Sequence, residues 1–545
     1  MFGNMMNQPL MISSIIKHAA RNHSRQEIVS RSVEGPIHRY TYSDANGRMK
    51  QLANALERLG VVKGDRVATL AWNTYRHVEL YYAISGLGAI CHTINPRLFR
   101  EQIEYIVNHA EDKYLFLDLT FVPLVEALAP LFKPVKGFVV MTDRDHMPDS
   151  SLPNLMCYEE LLDAESDDHE WQSFDENTAS MMCYTSGTTG NPKGSLYSHR
   201  STVLHALCVL ASIGRVATGS TDSFLAIVPM FHVAAWGNAY SVPIAGGRLV
   251  LPGPRYDGES LFELMDAEKV TITAGVPTIV TTLLDEIRKR GRKPNGLRRM
   301  LCGGSAPSRA LVEAYENDYG VDFYQGWGMT ETSPIAAVNV PRTEHAALSN
   351  EERIDMKLKC GYSNFGVEAR IVDDAGTAMP QDGQATGQLA VRGPYIISSY
   401  YNDDEATAAA IDADGWFLTG DVASIDPDGY ILLTDRSKDL IKSGGEWISS
   451  IDLENTVMSH EGIAEAAAIA CHHPKWEERP LLVVVLRNGF ELDRQDVLDF
   501  LEDKIVKWWM PDDVVFVDEL PHGATGKVSK LELREQFKDY ELPTA

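Results

Sequence analysis

Long apolar runs, paired cysteines and an excess of basic charge are all missing from this 545-residue chain, and each absence removes a class of protein. No stretch approaches the roughly 20 apolar residues that a membrane-spanning helix needs, so no integral membrane association is expected. The opening Met1 to Ile16 is apolar in places but has no charged n-region and no small-residue cleavage signal, which predicts a cytoplasmic protein. Seven cysteines, at 91, 157, 183, 208, 302, 360 and 471, form no C-x-x-C pair and no His/Cys cluster. Neither a zinc site nor a disulfide framework is indicated, and a reducing compartment fits. Lysine and arginine number 50 against 76 aspartates and glutamates, a formal charge of −26, with no basic stripe interleaved with aromatics. A phosphate backbone demands a basic footprint, so no nucleic-acid partner is expected.

What is present is a globular composition, 44% hydrophobic and 23% charged, in a chain long enough for about three domains or subdomains. From Ser24 to Val280 helix-period stretches alternate with short apolar runs: Ser43 to Leu59 helical, Arg66 to Leu70 strand, Val78 to Gly86 helical, Ala89 to Asn95 strand. The rhythm returns at Tyr114 to Leu117, Gly137 to Met141, Ser223 to Val228 and Thr271 to Ala274, and such alternation predicts parallel α/β sheets. Past Gly361 glycine- and aspartate-rich turns separate Glu368 to Val372, Gly387 to Arg392 and Gly429 to Leu433, the pattern of a β subdomain. A boundary falls at 435–438. Residues 1–434 thus make a large domain of two α/β subdomains and a β subdomain, and 439–545 a small α+β domain. Its elements are a helix near Ser450 to Met458, strands at Ala466 to Ala470 and Leu481 to Leu486, and a helix from Asp493 to Val506.

The run Tyr184-Thr-Ser-Gly-Thr-Thr-Gly-Asn-Pro-Lys-Gly194 clusters hydroxyls and glycines around one lysine. Glycines at 187, 190 and 194 allow close backbone approach, Thr185, Ser186, Thr188 and Thr189 add hydroxyl donors, and Lys193 adds a charge, so the run can wrap a polyphosphate. It departs from the Walker loop, whose lysine precedes Ser or Thr, because Pro192 and Gly194 flank Lys193. Tyr324-Gln-Gly-Trp-Gly-Met-Thr-Glu-Thr332, after a strand at Val321 to Phe323, offers an aromatic face, hydroxyls and one carboxylate, suited to a base and a hard cation, or equally to a buried turn. Gly415-Trp-Phe-Leu-Thr-Gly-Asp421 ends in a carboxylate able to accept both ribose hydroxyls.

These three runs, with Pro229-Met-Phe-His232, Asp435 to Gly445 and Pro521-His-Gly-Ala-Thr-Gly-Lys527, follow the order and spacing of the adenylate-forming superfamily, which the chain resembles over essentially its whole length. The resemblance implies an AMP-forming acyl-CoA synthetase that uses ATP, Mg²⁺ and CoA. Thr185 and Glu331 would hold Mg²⁺, and Lys193 with Ser186, Gly187, Thr188, Thr189 and Gly190 would grip the pyrophosphate. Gly303, Gly304 and Ser305, together with Gln325, Gly326, Gly328, Met329 and Thr330, would line adenine and α-phosphate, with Trp327 stacked on the base where most relatives carry Tyr. Asp421 would clamp the ribose, Arg436 would assist at the ribose or phosphate, and Lys438 would be the hinge of a mobile C-terminal domain. Lys527 would be the catalytic cation for adenylation. Lys442 and Trp447 would complete the nucleotide and CoA surroundings, and Gly444 and Gly445 would meet CoA after the domain turns.

His232, Val233, Trp236, Gly303 and Gly328 would wall the acyl pocket, His232 moving between the half-reactions. Val228 to Gly237 contains no basic residue except His232, which suits an apolar acid. The stretches Lys442 to Ser450, Asp452 to Asn455 and His473 to Trp476, with the opening Gly3 to Ile12, resemble the medium- and long-chain fatty acid and 3-methylmercaptopropionate ligase branch. The expected substrates are therefore a short- or medium-chain carboxylic acid and CoA, with a long-chain acid as the alternative and a non-catalytic ATP- or acyl-adenylate-binding sensor as the reading from another class. Relatives with these signatures pair through the N-terminal domain, so a homodimer is expected.

Overall fold

A computed structural model describes residues 1, 3–185, 191–213, 218–444, 446–523 and 527–545. Among the described residues the strands form sheets of seven, nine, four and five members. The seven-stranded sheet runs, edge to edge, through 155–157, 137–140, 112–117, 66–70, 90–93, 179–184 and 194–198, parallel except for the last pair. The nine-stranded sheet carries a parallel centre of 27–31, 248–251, 223–226, 272–275, 299–303 and 322–328, with antiparallel strands at both edges.

Period-two alternation distributes each central strand between two cores. Val67, Cys91, Phe116 and Val139 face a core that they share with Ile28, Phe224, Leu249 and Ile272 of the other sheet. Their neighbours Ala68, Ile90, Leu115 and Phe138 face a second core, and Val29, Leu225, Val250 and Met300 a third. Helices fill all three, giving five layers, as parallel strands buried on both faces require. The helix Tyr75–Gly86 is buried at every position because it lies between the sheets. Helix Tyr42–Arg58 starts where Thr41 and Asp44 cap each other reciprocally.

Strands 368–372, 387–392, 417–425 and 431–436 make the antiparallel β subdomain. The five-stranded sheet uses only residues beyond Lys438. Its long hairpin, Ile463–His473 against Glu477–Leu486, packs Leu453, Val457, Val497 and Leu501 of two helices on one face and Leu533 of a third on the other.

Several boundaries differ from the sequence reading, and two of them are instructive. The strand expected to stop at Phe323 continues to Gly328, because Gly326, Trp327 and Gly328 still pair with Val338, Ala337 and Ile335. The helix expected from Asp493 to Val506 spans only Arg494–Glu502. Thr185, Pro229, Gly304 and Met329 all follow the carboxyl ends of strands 179–184, 223–226, 299–303 and 322–328, where ligands of open α/β sheets collect.

Candidate functional site

Asp421 lies buried in strand Phe417–Ile425, directly opposite Arg436 of the next strand. Arg436 Nε sits 2.9 Å from Asp421 Oδ1, and the indole Nε1–H of Trp327 donates to Oδ2 at 2.8 Å. Both carboxylate oxygens are thus oriented, yet each keeps a lone pair for another donor, as a pair of vicinal hydroxyls would supply. A tyrosine at 327 has no donor at this place on its ring. The structure therefore gives Trp327 a second attachment besides its aromatic face.

Gly303 ends strand 299–303, which pairs with the strand of Trp327, and Gly304 follows it; neighbouring atoms crowd both. A side chain on Gly303 would meet the Gly326 carbonyl at 2.7 Å and the Trp236 ring at 3.1 Å. Gly304 has φ +88°, and a Cβ there would lie 3.8 Å from Lys527 Cε and 4.0 Å from the Trp236 ring. Lys527 of the small domain thus reaches the glycine corner beside the Trp236 indole. Burial, then the neighbouring cation Arg436 and, after the opposing pull of Asp421, Lys438, lower its ammonium to about 8. Burial, with Lys527 and Arg97 nearby, lowers His232 to about 4, so its imidazole is neutral at pH 7.

Glu331 and Lys193, which the resemblance assigns to the phosphates, meet at Tyr400. Glu331 is buried in the turn Thr330–Thr332, where desolvation raises its pKa against the hydrogen bond from Tyr400 and the pull of Arg436 and Lys193. Tyr400 Oη donates to Glu331 Oε1 at 2.7 Å, and Lys193 Nζ lies 5.1 Å from the centre of the Tyr400 ring. The stems of the Thr/Gly run are joined by the Thr185 N–H bond to the Lys193 carbonyl, 2.9 Å. Among the described residues no three His, Cys, Asp or Glu side chains come together to hold a metal. A lone buried carboxylate with nearby hydroxyls is nonetheless the donor set that Mg²⁺ accepts, because that ion takes one or two carboxylates and completes its shell with water and substrate phosphates.

The apolar wall is a left-handed turn. Val233, Ala235 and Trp236 have φ of +49°, +53° and +54°, and Gly237 follows at +74°. A β-branched residue in this region is strained and persists only because its surroundings fix it. One such support is His205, whose ring would touch a Cβ on Gly237 at 2.9 Å. His205 is held neutral by burial, lowered to about 3, and its Nε2 accepts the Ile335 N–H at 3.0 Å. Gly328 leaves no room for a side chain, since a Cβ would strike the Pro334 carbonyl.

Other residues named from the sequence lie further from this centre. Gln325 is buried and points its Nε2 at Cys360 Sγ, 3.4 Å. Thr330 is buried with its carbonyl accepting from Tyr197 Oη at 2.7 Å, Met329 packs against the β subdomain, and Ser305 is exposed. Lys438, in an exposed turn, is the exception, near enough to Lys527 to help lower its ammonium. Lys442 and Trp447 face each other across an exposed hairpin, Lys442 Nζ 3.5 Å from Glu477, and Trp447 is 54% exposed. Gly444, φ +59°, donates to the Trp476 carbonyl at 2.8 Å. Ser186, Gly187, Thr188, Thr189, Gly190 and Gly445 lie outside the described residues. Tyr400 and His205 had no signal in the sequence, because their partners are 69 and 130 positions away.

The chain matches the AMP-binding enzyme family over residues 16–401 and the AMP-binding enzyme C-terminal domain over 452–527. It is 49% identical over 543 residues to a 3-methylmercaptopropionyl-CoA ligase of Ruegeria lacuscaerulensis, covering 99% of each chain. It is 45% identical over 542 residues to a medium-chain-fatty-acid–CoA ligase of Ectopseudomonas oleovorans, covering 99% of this chain and 98% of that one. The crystal structure of an anthranilate CoA ligase in complex with anthranoyl-AMP superimposes with a TM-score of 0.87 at 25% identity, over 98% of both chains.

Proposed function

Because the chain belongs to the AMP-binding enzyme family, we propose that it is an ATP-dependent acyl-CoA ligase that converts a carboxylic acid to its acyl-adenylate and then to the CoA thioester, releasing pyrophosphate and AMP. The observation that carries the reading is Lys527, brought from the small domain to the glycine corner between the apolar wall at Trp236 and the Asp421–Arg436 pair. A carboxylate attacking the α-phosphorus joins two anions. A cation placed where nucleophile and phosphate meet offsets that repulsion as charge redistributes. Lys527 is this cation, Asp421 receives the ribose hydroxyls, Trp327 presents its face to the base, and Lys193 draws on the departing pyrophosphate. Glu331 and Thr185 would hold Mg²⁺, which when bound neutralises charge on the phosphate chain. Neutral His232 borders the same space without adding charge.

The second half-reaction needs a thiol where Lys527 now stands. The exposed hairpin carrying Lys442, Gly444 and Trp447 is the surface that a turn about Lys438 would bring in to line the CoA channel. For the acid, the apolar lining at Val233 and Trp236 fits a short- or medium-chain aliphatic acid or a thioether acid such as 3-methylmercaptopropionate, the substrates named for two of the relatives. We further propose a cytoplasmic homodimer, which light scattering of the purified protein would test.

The decisive measurement is AMP release with ATP, Mg²⁺ and CoA across straight-chain acids of two to eighteen carbons, 3-methylmercaptopropionate and aryl acids. A maximum at four to eight carbons or at the thioether acid is expected; a maximum at fourteen to eighteen would make Trp236 the wall of a long tunnel. In the same assay Lys527→Ala should slow acyl-adenylate formation by about a hundredfold or more, while thioester formation from supplied acyl-AMP stays near wild type. Equal losses in both half-reactions would remove Lys527 from this role.

A further inference from the structure

Residues 395–401 connect strand Gly387–Arg392 to helix Asp404–Ala410 and belong to none of the motifs above, yet they touch both halves of the phosphate site. Ser333 Oγ donates to the Tyr395 carbonyl at 2.7 Å, and Ile397 N–H donates to the Glu331 carbonyl at 2.8 Å. Four residues on, Tyr401 N–H donates to the carbonyl of Gly194, next to Lys193, at 2.9 Å. Between these ties sits Tyr400, 8% exposed, its hydroxyl on Glu331 and its ring beneath the Lys193 ammonium. Its own backbone is pinned, the N–H donating to Thr407 Oγ1 at 2.9 Å.

We propose that Tyr400 is a positioning residue that sets Glu331 and Lys193 at the spacing a metal-bound triphosphate requires, with residues 395–401 as the brace between them. The proposal rests on the preceding reading in one respect, that Glu331 and Lys193 face the phosphates. The Tyr400 hydroxyl holds one carboxylate oxygen and so fixes the rotamer of Glu331, leaving the other oxygen for a cation; outer hydrogen bonds of this kind orient metal ligands. The aromatic face gives Lys193 a resting place over a ring, which reduces the rotamer freedom that a long lysine side chain would otherwise lose on binding phosphate. The roles are separable, because phenylalanine keeps the ring and discards the hydroxyl, whereas leucine discards both.

The test is equilibrium calorimetry with acid and CoA omitted, titrating ATP at graded Mg²⁺ and, separately, AMP. For Tyr400→Phe the Mg²⁺ concentration giving half-maximal ATP affinity should rise about tenfold, the worth of one hydrogen bond to a charged group. AMP, which lacks the β- and γ-phosphates, should bind as to wild type, and the urea midpoint should fall by no more than one lost hydrogen bond implies. Tyr400→Leu should in addition weaken ATP binding measured with EDTA, which Tyr400→Phe leaves intact. The proposal is overturned if Tyr400→Phe binds Mg²⁺ATP as wild type does, or loses AMP and Mg²⁺ATP affinity in equal measure. Failure of the broader reading would look different: wild-type protein itself would bind Mg²⁺ATP no better than AMP and release no AMP with any acid.

Discussion

Lys527 is buried and shares its corner with two other cations, Arg436 and Lys438, against one anion, Asp421, so its proton is held less firmly than that of a solvated lysine. The ammonium is present below about 8 and is lost as pH rises through that value, so adenylation should fall on the alkaline side. Rate profiles of kcat/KM, which report the free enzyme, should bend downward near pH 8. Arg436→Gln, by removing a neighbouring positive charge, should move that bend to higher pH even as it weakens ATP binding. An unshifted bend would mean that another group titrates. Trp327 is informative for a different reason. Its sequence context announced an aromatic face, but the indole N–H on Asp421 depends on a contact between two sheets, with a residue 94 positions away, and could not be read locally.

At the level of elements, the turn Val233–Gly237 is the least regular piece of the site. Its left-handed backbone sets the Trp236 ring over Gly303, and the strain of three non-glycine residues there is tolerated because His205 and the neighbouring helix close off alternatives. Gly237→Ala forces a Cβ into the His205 ring at a positive φ, so stability should drop by about 2 kcal/mol, seen as a lower urea midpoint. A midpoint equal to wild type would show that the turn can relax. The motif Tyr324–Thr332 makes a related point. Its glycines were readable as points of close approach, but that they extend the strand beneath Pro334 follows only from pairing with Ile335–Val338. Apolar runs marked seven of the parallel strands, because burial on both faces demands them, but strands 27–31, 155–157, 179–184, 248–251 and 299–303 were not singled out.

Across the whole molecule, the orientation that delivers Lys527 is tied at the start of the small domain. Ser449 Oγ donates to the Thr434 carbonyl at 2.6 Å, and Ser450 donates from both N–H and Oγ to buried Asp435 at 2.7 Å. Lys530, paired with Glu454 at 2.7 Å, adds positive charge beside the same aspartate. These bonds span the proposed hinge, linking residues before Lys438 to residues after it. Ser450→Ala should therefore slow acyl-adenylate formation several-fold and leave thioester formation from supplied acyl-AMP unchanged or faster. Equal slowing of both would place Ser450 in general stability instead.

The sequence by itself determined the alternating core and a separate C-terminal unit, because these are written in local composition, period and spacing, and the order of its motifs carried the resemblance that implied the class of chemistry. Only the tertiary structure decided that Trp327 and Arg436 share the carboxylate of Asp421, that Lys527 stands beside Gly304 and Trp236, and that Tyr400 links Glu331 to Lys193. Those relations join residues tens to hundreds of positions apart. They arise from strand order and domain orientation, and no window of sequence contains the distances on which the electrostatics depend.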